Sequence, residues 1–137
     1  MDLGRTAIYC GNLKKSIQKK INLFLKPYNI TSIHAPYLLL LKYTKMLSLN
    51  EFNDLLGVDK ANTARVIEYL HKEKMIDKTE EARKYRVYLT DYGIQITEKL
   101  EQYMGTIKKK AIEQIEENKL QVFNSVLLQI MENLKGE

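Results

Sequence analysis

A mainly α fold, a winged helix-turn-helix with a two-stranded β-wing between long terminal helices, is predicted by three features of the sequence. Residues 48–72 hold two short amphipathic stretches separated only by Gly57, Val58 and Asp59, the spacing of a helix-turn-helix. Residues 75–89 change from helical to two-residue periodicity, as paired strands require. Apolar residues recur at steps of three and four over residues 3–25 and again over 94–134, which makes both ends of the chain helical.

The first helix carries Leu3, Ala7, Cys10, Leu13, Ile17, Ile21 and Phe24 on one stripe, with Lys14, Lys15, Lys19 and Lys20 mostly off it. Pro27 ends this pattern because it pushes its neighbour away from helical angles. A second helix is expected from Thr31 or Ser32, either of which can cap it, with a slightly irregular start imposed by Pro36. The apolar run 37–41 is too short to span a membrane and reads as the buried centre of the chain.

Ser48 and Glu51 have capping-box spacing, so a third helix starts there, with Leu49, Phe52, Leu55 and Leu56 as its apolar face. Gly57 supplies the left-handed residue that closes it. Asp59 then caps a helix from Lys60 in which Thr63, Val66, Ile67 and Leu70 face inward. Lys60, Ala61, Asn62, Ala64, Arg65 and Glu68 face outward, and the second helix of such a pair is the one that enters a major groove. Met75 and Ile76, then Tyr85, Val87 and Leu89, mark the two strands, with residues 79–83 as the tip between them. Arg83, Lys84 and Arg86 give that hairpin the charge for phosphate or minor-groove contact.

Thr90 caps the next helix, whose stripe is Ile94, Thr97, Leu100, Met104, Ile107 and Ala111, with Tyr103 beside it. A bend is expected at Asn118. Beyond it Leu120, Phe123, Val126, Leu127, Ile130, Met131 and Leu134 form a last stripe with too few partners in one chain, so pairing with a second copy is expected. Removal of residues 119–137 should then leave an insoluble or molten chain.

The 137 residues are 45% hydrophobic and 28% charged, the composition of an ordinary globular protein and not of a disordered one. Neither a membrane span nor an apolar signal-peptide core is evident, so a cytoplasmic location is expected. A single cysteine and two histidines argue against an internal disulfide or a structural zinc site, and no phosphate loop or nucleophile elbow is present. No metal, cofactor or catalytic residue is therefore assigned, and the chain is not read as an enzyme. The net charge of +5 favours a polyanionic partner only weakly, because residues 48–90 carry eight basic and eight acidic side chains. The case for DNA rests on where those cations sit.

These residues resemble the MarR family of winged-helix regulators. The likeness lies in Glu81-Ala82-Arg83, Val87-Tyr88-Leu89-Thr90 and Gly93 of the wing, in Val58-Asp59-Lys60 with Arg65 and Leu70, and in the order of elements along nearly the whole chain. Ala61 and Ala64 stand where small hydroxyl residues are common in the family, and Glu81 stands where Asp is usual.

The resemblance implies one regulator domain over 1–137, with 31–93 as the DNA-binding unit and 1–30 with 94–137 as dimerisation helices. It further implies a homodimeric repressor on a pseudo-palindromic double-stranded operator, contacted by Lys60, Ala61, Asn62, Ala64, Arg65, Arg83, Lys84 and Arg86. It places a cleft for a small aromatic ligand near His34 and Tyr37, with Tyr9, Tyr28 and Tyr43 as further candidates. Cys10 offers an alternative redox-responsive reading, although on an apolar stripe it behaves first as a small hydrophobe. A protein-interaction module without DNA binding is the alternative from another class, supported by the neutral winged unit and its two outward alanines. On the reading face, Asn62 suits adenine, Ala61 and Ala64 suit thymine methyls, and Arg65 suits guanine or a phosphate. Half-sites rich in A·T and about one helical turn apart are expected.

Overall fold

A computed structural model describes residues 1–81 and 83–136. Ala82, within the Glu81-Ala82-Arg83 motif, and Glu137 lie outside the described residues. The chain divides into two compact units, Met1–Gly105 and Thr106–Glu137.

In the first unit, α1 (Leu3–Leu25) is capped by Asp2, whose side chain accepts from the Arg5 N–H. A 3-10 turn, Lys26–Tyr28, follows, and Asn29 in the left-handed region ends it. The next helix, α2 (Ala35–Thr44), starts later than Thr31 or Ser32. Pro36 has no N–H to offer the carbonyl of Ser32, so a helix begun there would lack a bond that the first turn after His34 does not need. Residues 31–34 form a turn tied to α1 by a 2.7 Å hydrogen bond from the Ser32 N–H to the Asn22 side-chain oxygen. Tyr37, Leu38 and Leu41 are buried, as the apolar run requires.

The capping box is formed in full: Glu51 N–H donates to Ser48 Oγ, and Ser48 N–H donates to the Glu51 carboxylate. It starts α3 (Leu49–Leu56), which Gly57 closes at φ 64°. Phe52 is fully buried, but Leu55 is 58% exposed and is not part of the inner face. Leu55 and Leu56 flank the Phe52 line on opposite sides, and it is Leu56 that is half-buried. The following helix, α4 (Lys60–Lys72), is capped by Asp59 and buries Thr63, Val66, Ile67 and Leu70.

Three strands, not two, make the sheet. Besides β2 (Ile76–Lys78) and β3 (Arg86–Leu89), the residues just before α3 form β1 (Leu47–Ser48), and the antiparallel order is β1-β3-β2. Leu47 stands opposite Val87 and Ile76 opposite Leu89. Leu47, Ile76 and Val87 turn inward, so the base of the wing is stitched into the core. Met75 precedes β2 and is wholly buried.

Thr90 caps α5 (Asp91–Ala111) through a 3.0 Å bond from the Gly93 N–H. The buried positions of α5 are Gly93, Ile96, Thr97 and Leu100, whereas Ile94 is outward-facing. The expected stripe is therefore rotated at its start, because Gly93 and not Ile94 meets the turn at Met75.

In the second unit, the helix break falls at residues 112–116, with Gln114 at φ 62° and Glu116 extended, ahead of the Asn118 expected to mark it. Helix α6 (Glu117–Lys135) follows, and among the described residues none of its side chains is buried. No helix among the described residues is long and apolar enough to cross a membrane.

Candidate nucleic-acid interface

The outward face of α4 begins at its cap. Asp59 accepts at one carboxylate oxygen from the Asn62 N–H (2.7 Å) and at the other from the Asn62 side-chain amide (3.3 Å). Arg65, one turn on, donates to the Asn62 side-chain oxygen. Residues three apart share a helix face, so carboxylate, amide and guanidinium form one line beside exposed Lys60, Ala61 and Ala64. Asp59 was expected only as a cap; its second oxygen also holds the Asn62 side chain on the outward face.

Across the sheet, Arg83, Lys84 and Arg86 share an open cleft of about 790 Å³ with the start of α3. Arg86 stands in register with Ser48, which brings its charge near Glu51. The Glu51 carboxyl is held below its usual range, first by the Ser48 capping bonds and to a lesser degree by Arg86. Arg83, Lys84 and Arg86 are all exposed and together are the cations of this face. Lys78, absent from the expected set, lies over the Tyr85 ring at 4.7 Å and adds a further cation at the hairpin.

A second cavity of about 840 Å³ opens between α1, the turn before α2, and α4. His34 and Tyr37 both line it, together with Lys14, Gln18 and Tyr69. Tyr9, Tyr28 and Tyr43 do not. Tyr9 is exposed on α1, Tyr28 packs by Phe24 in the 3-10 turn, and the Tyr43 hydroxyl donates to Glu101, which also pairs with Lys42. Tyr43 is six residues beyond Tyr37, about 240° round the helix, so the two cannot face one cavity. Cys10 is half-buried on α1 and also lies outside it.

The cavity wall is fixed by His34, whose ring stacks on Tyr69 at 4.7 Å and whose Nδ1 accepts from the Thr31 N–H at 3.0 Å. Burial pushes the imidazole below its ordinary pKa, opposed by the hydrogen bond with Thr31 and, less, by the Glu73 carboxylate. The Tyr69 hydroxyl donates to the Asn29 carbonyl, and Tyr37 meets Thr63 at 3.4 Å in the core. Asn62 and Arg65 also border this cavity, so one face of α4 serves both surfaces. Lys14 and Tyr69 were legible only as a helix-surface lysine and a helix-margin aromatic. The signal for Tyr69 was its place four residues after Arg65, on the same flank of α4. Among the described residues no cluster of His, Cys, Asp and Glu could hold a metal ion.

No protein-family profile matches the chain. It is 31% identical over 97 residues to the HTH-type transcriptional regulator BilQ of Clostridioides difficile strain CD3, a match over 71% of this chain and 63% of that protein. The matched stretch thus spans less than two thirds of the relative's length. Its fold superposes on a MarR transcriptional regulator from Methanosarcina mazei Go1 with TM-score 0.86 at 23% identity, over 100% of this chain and 94% of the other. It also matches MepR of S. aureus, solved as a complex with DNA, with TM-score 0.84 at 16% identity, over 94% of this chain and 97% of that one.

Proposed function

This chain has the winged-helix fold of the MarR regulators, and from that premise we propose that it is a sequence-specific, double-stranded DNA-binding transcriptional regulator. The observation that carries the reading is the outward face of α4. Lys60, Asn62 and Arg65 stand exposed there on a helix held from behind by Thr63, Val66, Ile67 and Leu70. A rigid helix with a polar, cationic outer face and small Ala61 and Ala64 between is shaped for a major groove. Arg83 and Lys84 supply phosphate contacts beside it.

In this reading residues 31–93 bind DNA, while 1–30 and 94–137 join two copies into a homodimer. Support for the pairing is the apolar surface left open in one chain: Leu13 and Ile17 on α1, and Phe123, Val126, Met131 and Leu134 on α6. Two-fold pairing suits a pseudo-palindromic operator. The chain acts as a repressor released by a small aromatic ligand, for which the cavity beside His34, Tyr37 and Tyr69 has suitable size and lining.

Selection of bound sequences from random duplex DNA by the purified protein, followed by a salt titration on the winning duplex, tests this function. A two-fold related sequence whose affinity falls steeply with salt is expected. Failure to retain any duplex at low salt would overturn DNA binding and favour a protein-interaction module.

A further inference from the structure

The line Asp59–Asn62–Arg65 bears on which base is read, and the inference rests on the DNA-binding reading above. The Asn62 amide lies between a carboxylate one turn before it and a guanidinium one turn after it on α4. Charge fixes its orientation: the NH₂ end faces Asp59 and the oxygen faces Arg65, and the reverse would set like polarity against like. Hydrogen bonds to charged partners are roughly twice as strong as neutral ones. To pair with both N6 and N7 of an adenine, the amide would have to present its oxygen and its NH₂ together to a single base edge. It would leave both charged partners to do so.

We infer that Asn62 is a positioning residue for Arg65, and that Arg65 reads a guanine through its O6 and N7. One N–H of the guanidinium is used on Asn62. A guanidinium has five donors in a rigid fork, so enough remain for a bidentate contact to a base. Holding one arm of a long, flexible side chain from the same helix reduces the rotamer freedom lost when DNA binds. Asp59 completes the device, since it fixes the amide that fixes the arginine. The expected half-site then contains a guanine opposite Arg65, with thymine methyl contacts from Ala61 and Ala64 beside it.

The test uses the full-length chain and the duplex selected by the wild type. Affinity is measured at one salt concentration for that duplex, for a version with the guanine replaced by adenine, and for versions with each adenine replaced by guanine. Wild type should prefer guanine by roughly 5- to 150-fold, and Arg65→Ala should abolish that preference. Asn62→Ala should lower it severalfold and leave every adenine preference unchanged, and it should add nothing in an Arg65→Ala background. Asn62→Asp keeps the oxygen that Arg65 uses but has no N–H for adenine N7, so guanine preference should survive even as overall affinity falls. Loss of an adenine preference on Asn62→Ala in both backgrounds, or a selected half-site without guanine, would overturn the inference while leaving DNA binding intact. A wild type that binds no duplex would overturn the DNA-binding reading and this inference with it.

Discussion

Gly93 lies so close to Met75 that a Cβ on it would stand 1.9 Å from the Met75 carbonyl oxygen and 2.9 Å from its carbonyl carbon. The same turn is held by Thr90, whose N–H donates to the Met75 carbonyl and whose hydroxyl donates to that of Lys74 at 2.7 Å. The threonine and glycine of the wing motif are thus one packing device: Thr90 bonds the end of α4 to the start of α5, and Gly93 lets the two backbones approach.

Gly93→Ala should therefore destabilise the chain by roughly 3 kcal/mol or more, because the obstacle is backbone and not the tip of a mobile side chain. Denaturant unfolding followed by circular dichroism checks this. An unchanged midpoint would show that the turn at Met75 yields cheaply.

Truncation distinguishes the core from the assembly surface. Among the described residues every buried hydrophobic one lies between Ile21 and Leu100, and none of α6 is buried. Burial within one chain supports a different outcome from the molten chain expected on loss of residues 119–137. A chain ending at residue 118 should unfold cooperatively but self-associate less than the full chain, as measured by sedimentation at several concentrations. A truncated chain without a cooperative transition would restore α6 to the folding core.

Most of the helical frame was legible because its signals are local. The Ser48–Glu51 box, the Asp59 cap and the Thr63–Val66–Ile67–Leu70 face each depend on residues within one or two turns of one another. The third strand was not legible, since Leu47 and Ser48 are two residues with no alternation to read, and only Val87 and Arg86, far along the chain, make them a strand. The tyrosines divide for the same reason. Tyr37 was placed through its position on α2, but Tyr43 is claimed by Glu101, 58 residues on, a contact that sequence spacing does not announce. Asn62 shows a subtler limit: its outward position was predictable, but its engagement by Asp59 and Arg65 depends on rotamers.

The wing offers a separable contribution. Arg83 is exposed, and no carboxylate pairs with it among the described residues, whereas Arg86 lies near Glu51. Arg83→Ala should weaken duplex binding by about 1 to 3 kcal/mol across sequences and reduce the salt slope by about one. Arg86→Ala should do less, because Arg86 stands opposite Ser48 at the base of the hairpin and not at its tip. Electrophoretic or fluorescence titrations over a range of salt decide this, and an Arg83→Ala variant with wild-type affinity at every salt concentration would remove the wing from the interface.

His34 gives the cavity wall a pH dependence whose sign follows from its surroundings. Burial holds its pKa below the ordinary 6.5, so between that folded value and 6.5 the unfolded chain binds a proton that the folded chain refuses. Stability is then fully kept above about 6.5 and is lost as pH falls through the folded value. The proton on Nδ1 would also displace the Thr31 N–H, loosening the turn that leads into α2. His34→Asn offers an acceptor near the Nδ1 position without titrating, so its stability relative to wild type should improve steadily as pH is lowered from 7 to 5. His71, exposed and 3.6 Å from Asp77, is present in both proteins and cancels in the comparison. Denaturant midpoints of the two proteins measured at half-unit pH steps give the difference directly. Curves that stay parallel over that range would mean that His34 gains or loses its proton equally in the folded and unfolded chains.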